Sequence, residues 1–317
     1  MNNDRRNFLK KIVATSVAIP FSNHLFPMAE ISNNKKYPIY FFSKPLDKFG
    51  YDFITDTLKM AGVDGIDLTV RPRGLVLPEK VEDDLPKVVD LAKKNGLLTE
   101  LMVSNLIGAN TLHAENVLKV AANCGIKHYR LGYFKYSRNE SVSQTIARAK
   151  SGMLSLTKIN RELGIQGGYQ NHTGNYFGSP VWDLIKVLES IPTRWMTSQF
   201  DIYHAFAEGY KSWVITMDMI APKIGSLAIK DFTWQKTDGK LKMKKVPLGK
   251  GIVDLDGFFI NLKKLKIYAP ITLHIEYPIL LDKEKNFSIL QKQKVIVIKI
   301  KNDIGFIRLK LKQHQLV

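Results

Sequence analysis

The chain has 317 residues, 45% of them hydrophobic, one cysteine and a formal net charge of +18. That length suits one large α/β domain with a full core, or two smaller ones, and the composition is that of a globular protein without low-complexity blocks. The positive charge is spread over helix faces, both termini and one lysine-rich loop rather than gathered with exposed aromatics into a stripe, so no nucleic-acid partner is expected and anionic substrates are compatible with it. Cys124 stands alone, which excludes an internal disulfide and a thiolate metal site, and "VAANCGIKHY" places it as a small buried apolar residue.

The N-terminus reads "NDRRNFLKK" and then the apolar run "IVATSVAIPF". This is the order of a secretory signal, and the run is too short to span a bilayer. Arg5-Arg6 followed by Phe8-Leu9-Lys10 resembles a twin-arginine export signal. The expectation is therefore a signal and linker over residues 1–36, the twin-arginine machinery as a partner, and a periplasmic location. A basic amphipathic N-terminal helix is the alternative. No cysteine follows the apolar run, so a lipoprotein anchor is excluded.

From Tyr37 strands and helices alternate. "YPIYFF" is a strand, and "YDFITDTLKMAG" is helical with a glycine stop. "VDGIDLTV" precedes "EDDLPKVVDLAKKNG", whose acids come first and lysines last, as a helix dipole prefers. "LLTELMV" with "HAENVLKVAANCG", and "IKHYRLGYF" with "SVSQTIARAKSGMLSLTKINRELG", make the third and fourth units. "IQGGYQNH" is followed by "SPVWDLIKVLESI", "RWMTSQFDIYH" by "EGYKSWVITMDMIAP", and "GSLAIKDFTW" by "LDGFFINLKKLK". "APITLHIEYP" is the eighth strand. The tail carries Val297, Ile300, Ile304, Ile307 and Leu311 at three-four spacing, which predicts an amphipathic helix, although its "VIVIKIK" run also suits a strand. Eight units without a linker predict a single-domain (β/α)8 TIM barrel over 37–317 rather than an open doubly wound sheet, which would carry a glycine-rich turn where this chain has "FSKPLDKFG".

In such a barrel the chemistry sits at the C-terminal strand ends. Those ends supply Arg71, Arg73 and Glu79 after the second strand and Arg130 in the fourth. The glycine-rich exit "GGYQNHTGNYFG" supplies Gln170, Asn171 and His172. Asp201 and His204, Lys230 and Asp231, and His274 and Glu276 come from the sixth, seventh and eighth strands. This accumulation at one end predicts a site. Each residue also has a plainer reading. His172 caps a turn, Asp201 and Glu276 are structural acids paired with basic groups, Arg130 anchors substrate or pairs with Glu100, and Arg71 is a solvated charge. "TWQKTDGKLKMKKVPLG" predicts a hairpin turning at Asp238-Gly239, either a lid drawing in an anionic sugar or a solvated projection.

Taken together, "GVDGIDLTVRP", "VLPE", "FDIYH", "AIKDF", "PLGKG" and "LHIEY" resemble the xylose isomerase-like TIM barrels, the sugar phosphate isomerase/epimerase group. The resemblance implies a carbohydrate isomerase or epimerase that moves a proton next to a sugar carbonyl, with a divalent metal (Mg, Mn or Zn) holding two sugar oxygens. It implies four metal ligands: Asp201 and Glu276 match two of them, while Gln170 and Ala228 stand where a Glu and a His belong. Gln170 still offers a carbonyl oxygen, and His172, His204 or His274 are candidates for the vacant place. Gln170 cannot take a proton, which argues against symmetric two-base chemistry. Glu276 is then the expected base, with His172 or His204 as second acid and Lys230 facing a developing enolate. Arg71, Arg130, Asn171 and Trp234 are the expected substrate contacts. The alternatives are a lyase cleaving a keto-sugar or 3-keto-glycoside by the same first step, and a non-catalytic sugar-binding barrel. A nuclease reading is disfavoured by the paucity of metal ligands.

Overall fold

Eight short strands, nearly every residue of them buried, run parallel and close on themselves. They are β1 (Ile39–Phe42), β2 (Gly65–Thr69), β3 (Leu98–Val103), β4 (His128–Arg130), β5 (Gln166–Gln170), β6 (Met196–Asp201), β7 (Ile224–Ile229) and, after a hairpin, β10 (Ile271–Leu273), which pairs with both β7 and β1. The computed structural model describes residues 37–317. The twin-arginine reading at Arg5-Arg6 lies outside the described residues.

Between the strands run α1 (Tyr51–Ala61), α2 (Val81–Lys94), α3 (Ala114–Asn123), α4 (Val142–Leu163), α5 (Trp182–Leu188), α6 (Ile202–Gly209), α7 (Trp213–Ile220) and α8 (Leu255–Lys264). The predicted barrel is thus present. The tail is the helix α9 (Ile289–Gln313), which buries Val297, Ile300, Ile304, Ile307 and Leu311 and decides its helix/strand ambiguity. Ser141 and Ser288 open α4 and α9 with capping boxes. One boundary differs from expectation. "FDIYH" ends a strand only as far as Asp201, whose carboxylate accepts from the backbone N–H of His204 and starts α6 there. Cys124 is half-buried, not fully buried as expected.

Alternation along each strand sorts its side chains. Leu227 and Ile229 of β7, Ile271 and Leu273 of β10, and Phe200 of β6 join the apolar layer. Their neighbours point into the barrel, and the register Asp201↔Ala228↔Thr272 sets those three side by side. Two residues further along, Lys230 follows Ala228 and His274 follows Thr272, with Glu276 beyond, all rising toward the same mouth.

The hairpin is β8 (Asp231–Thr237) with β9 (Lys240–Val246), joined by Asp238 and Gly239 at φ 52° and 73°, the two positive values a tight type I′ turn needs. Its base is tied down by Asp231, which accepts from the backbone N–H groups of Phe232, Gly249, Gly251 and Val253 at 2.8–3.2 Å. Next to it, Asp303 of α9 accepts from the N–H of Leu248 at 3.1 Å and the hydroxyl of Tyr277 at 2.8 Å.

Burial pushes the Asp303 carboxyl up to about 6, against those two hydrogen bonds. The folded state therefore holds this proton more tightly than the unfolded chain. The group's contribution to stability is full below the ordinary value of 3.8 and is lost as pH rises through about 6. Asparagine keeps an acceptor for Leu248 and has no charge to bury. Asp303→Asn is expected to raise stability at pH 8 by about 1–3 kcal/mol and to lessen the difference between pH 5 and pH 8, as read by calorimetry.

Candidate active site

Lys230 is the centre of the barrel mouth. It is 3% exposed, and its three N–H donors have three acceptors: Asp201 Oδ2 at 3.2 Å, Glu276 Oε1 at 3.2 Å and His204 Nε2 at 2.9 Å. An ammonium can only donate, so His204 Nε2 accepts. Its Nδ1 faces the Thr173 backbone N–H at 3.2 Å and lies 3.2 Å from the hydroxyl of the same residue. Burial works to lower Lys230, but Asp201 and Glu276 together outweigh it and hold the ammonium charged. Burial would likewise raise Glu276; Lys230, with Lys44 and Lys245 further off, keeps it below the usual glutamate range. Asp201 is fully buried and is raised by that burial, with Lys230 opposing.

Both oxygens of Asp201 are committed. Oδ1 accepts the His204 N–H at 3.3 Å, and Oδ2 accepts Gln170 Nε2 at 2.7 Å as well as Lys230. The Gln170 carbonyl oxygen accepts from Arg130 and from the hydroxyl of Tyr133. Gln170 is therefore a polarised link between the Arg130–Tyr133 pair and Asp201. Glu276 differs from these in having one oxygen, Oε2, with no hydrogen bond among the described residues, on a side chain 25% exposed.

His172 lies against this cluster, its ring centroid 3.9 Å from that of His204, with Tyr133 and Tyr176 at 5.1 Å and 4.7 Å. Its Nδ1 donates to the Thr173 carbonyl at 2.9 Å, which leaves the Nε2 lone pair available. Burial pushes its pKa down to about 4, so it is neutral at physiological pH. His274 is buried, stacks on Phe42 at 4.4 Å, and has no partner for either ring nitrogen among the described residues. Arg71 and Arg130 place their guanidiniums 5.7 Å and 5.6 Å from the same Phe42 ring.

The structure thus gathers Gln170, His172, Asp201, His204, Lys230 and Glu276 at one mouth, with Arg71 and Arg130 beside it. Three expectations change. Asn171 is fully buried and spends its amide on the Asp201 backbone, accepting its N–H at 2.8 Å and donating to its carbonyl at 3.0 Å. It clips β5 to β6 and is not placed to meet substrate. Trp234 stands 48% exposed on the hairpin, edge-on to Phe232 at 5.5 Å. His204, with both nitrogens occupied, positions Lys230 rather than facing substrate. Arg130 turns to Tyr133 and Gln170, while Glu100 pairs with Lys127 at 2.7 Å. Tyr133, Phe42 and Lys44 belong to the mouth and were not anticipated. Tyr133 lies three residues past the end of β4, in the loop beyond the strand end.

A family profile described as "Xylose isomerase-like TIM barrel" matches residues 55–292. The chain belongs to that family. Among solved structures, a D-allulose 3-epimerase from Methylomonas sp. in complex with D-allulose is similar to this xylose isomerase-like barrel at 15% identity and a TM-score of 0.66, covering 87% of this chain and 98% of the other. An L-ribulose 3-epimerase is similar at 12% identity and a TM-score of 0.66, covering 88% and 96%. The probable 3-DHS dehydratase AsbF from Bacillus anthracis is similar at 12% identity and a TM-score of 0.60, covering 83% and 97%. At these identities the likeness is one of fold. No curated protein sequence matches.

The divalent ion that the xylose isomerase-like resemblance implies does not fit these residues. Ala228 has no donor atom, Gln170 turns its oxygen away to Arg130 and Tyr133, and its amide N–H, which cannot ligate, faces Asp201. Among the described residues no three His, Cys, Asp or Glu side chains are grouped to hold a metal.

Proposed function

We propose that this barrel is a carbohydrate isomerase or epimerase that removes a proton next to a sugar carbonyl. The observation that carries the reading is Glu276 at the mouth, ionised and with a free Oε2, held against the Lys230 ammonium. Glu276 Oε2 takes the proton from the carbon next to the carbonyl, and the C–H electron pair moves to the carbonyl oxygen as an enediolate. Protonation makes Glu276 neutral and weakens its claim on Lys230, so the ammonium's field turns to the new oxyanion at the moment it forms. Returning the proton to the neighbouring carbon, while the adjacent hydroxyl proton passes to the oxyanion, gives the isomer. A proton delivered to the opposite face of the same carbon gives the epimer; it would come from water at the mouth, because neutral His172 carries a lone pair on Nε2 and has no proton there to give. Arg71 and His274 are free to hold hydroxyls or an acidic substituent.

A second reading, β-elimination from a keto-sugar, has one observation in its favour. Gln170 cannot exchange a proton, so a single ionised carboxylate faces the pocket, which suits one-sided chemistry. The dehydratase among the similar folds belongs to that reaction class by name. A sugar-binding barrel without turnover is the remaining rival.

Incubation with a panel of ketoses, including D-allulose, and 3-keto-glycosides in D2O separates them. Deuterium entering next to the carbonyl with a new sugar supports the first reading, and loss of the leaving group supports the second. No exchange with any of them sinks both. The twin-arginine-like N-terminus supports a periplasmic location, which recovery of processed protein from the periplasm tests.

A further inference from the structure

We infer that the Lys230 ammonium is itself the cation of this site, so that the protein works without a divalent ion. Lys230 Nζ lies 3.2 Å from a carboxylate oxygen of Asp201, 3.2 Å from one of Glu276 and 2.9 Å from an imidazole nitrogen of His204. Two carboxylates and a histidine face one positive centre, and that centre is a side chain of the protein itself. An ion entering between Asp201 and Glu276 would have to expel a buried, fully hydrogen-bonded ammonium.

The neighbouring residues are consistent with that exchange. Gln170 Nε2 donates at 2.7 Å to the same Asp201 oxygen that Lys230 holds. A glutamate in that orientation would set two anionic oxygens against each other, leaving three carboxylates around Lys230 with Arg130 as the second nearby cation. The amide removes the repulsion and adds a donor, while Arg130 and Tyr133 satisfy its oxygen. Ala228, beside Asp201 in the register and two residues before Lys230, brings no donor atom to this point. Lys230, Gln170 and Ala228 form one replacement: a bound cation exchanged for a covalent one, together with the two ligands it no longer needs. The inference stands whether the pocket isomerises, eliminates or only binds a sugar.

The test uses the full chain, dialysed against EDTA and titrated with Mn2+ in the absence of substrate. Free Mn2+ is followed by electron paramagnetic resonance and stability by thermal unfolding. The native protein is expected to take up no Mn2+ and to show an unchanged melting temperature at millimolar Mn2+. The double variant Gln170→Glu with Lys230→Ala opens three carboxylates to one point and is expected to bind one Mn2+ per chain and to melt higher with it. Native protein that takes up one Mn2+ per chain at micromolar concentration, an uptake lost in Asp201→Asn, would overturn the inference. A folded double variant that binds no Mn2+ would also overturn it, because the carboxylates would then not define a cation position. If the double variant fails to fold, the native titration decides alone. Since no substrate is present, these results are independent of the exchange experiment.

Discussion

Glu276→Gln is expected to lower kcat by about 10²–10⁴-fold while the protein stays folded and keeps its affinity for the sugar. Glutamine is nearly isosteric, and its carbonyl oxygen still accepts from Lys230, so the mouth keeps its shape. What it loses is the lone pair that receives the proton. The pH dependence carries an independent signature. Lys230 holds Glu276 below the ordinary glutamate value of 4.5, and the base must be ionised to act. The acid limb of kcat/KM should therefore lie below the usual carboxylate range, and turnover should be flat from there through neutrality, where His172, lowered to about 4, is also uncharged. Steady-state kinetics from pH 3.5 to 8, with binding measured separately by calorimetry, checks both. A Glu276→Gln variant that turns over at the native rate would remove Glu276 as the base.

The barrel was legible because its information is local. Each strand ends at a turn, α1, α2, α5 and α8 carry acids in their first turn and lysines in their last, and the eightfold alternation leaves few other ways to bury the strands. The strand-end acids and Lys230 were legible for the same reason, since alternation from Ala228 to Lys230 and from His274 to Glu276 keeps them on the inward face. The orientation of Gln170 was not. An amide at an acid's position can present either its oxygen or its nitrogen, and the choice is made by Arg130 and Asp201, 40 and 31 residues away along the chain. Asn171 was misassigned because the step after Gln170 turns the next side chain off the pocket and onto the β6 backbone. Trp234 follows Lys230 closely in sequence, but the β8–β9 hairpin carries it outward. Composition around the exit "GGYQNHTGNYFG" marked a polar mouth and could not show that its cation was already in the chain.

Lys230→Met is expected to cost turnover and stability together, and the two losses should separate with pH. Methionine fills most of the lysine stem and removes the charge. Turnover should fall by about 10²–10³-fold, the scale of losing a preorganised group that stabilises a developing oxyanion. Stability should fall by about 3–5 kcal/mol at neutral pH, because Asp201, fully buried, is left without its counter-charge and Glu276 without its partner. Burial already works to raise Asp201 in the native protein, with Lys230 opposing it. In the variant that opposition is gone, so the folded state binds a proton more tightly than the unfolded chain. The lost stability should therefore return in part as pH is lowered below neutrality, and the deficit should widen as pH rises. Thermal unfolding of native and variant protein at pH 5 and pH 8 measures the stability change, and the exchange assay measures the chemistry. A variant equally destabilised at both pH values would mean that the buried carboxylates are not what Lys230 balances. A variant destabilised as expected but fully active would keep the ion cluster as architecture and take Lys230 out of the reaction.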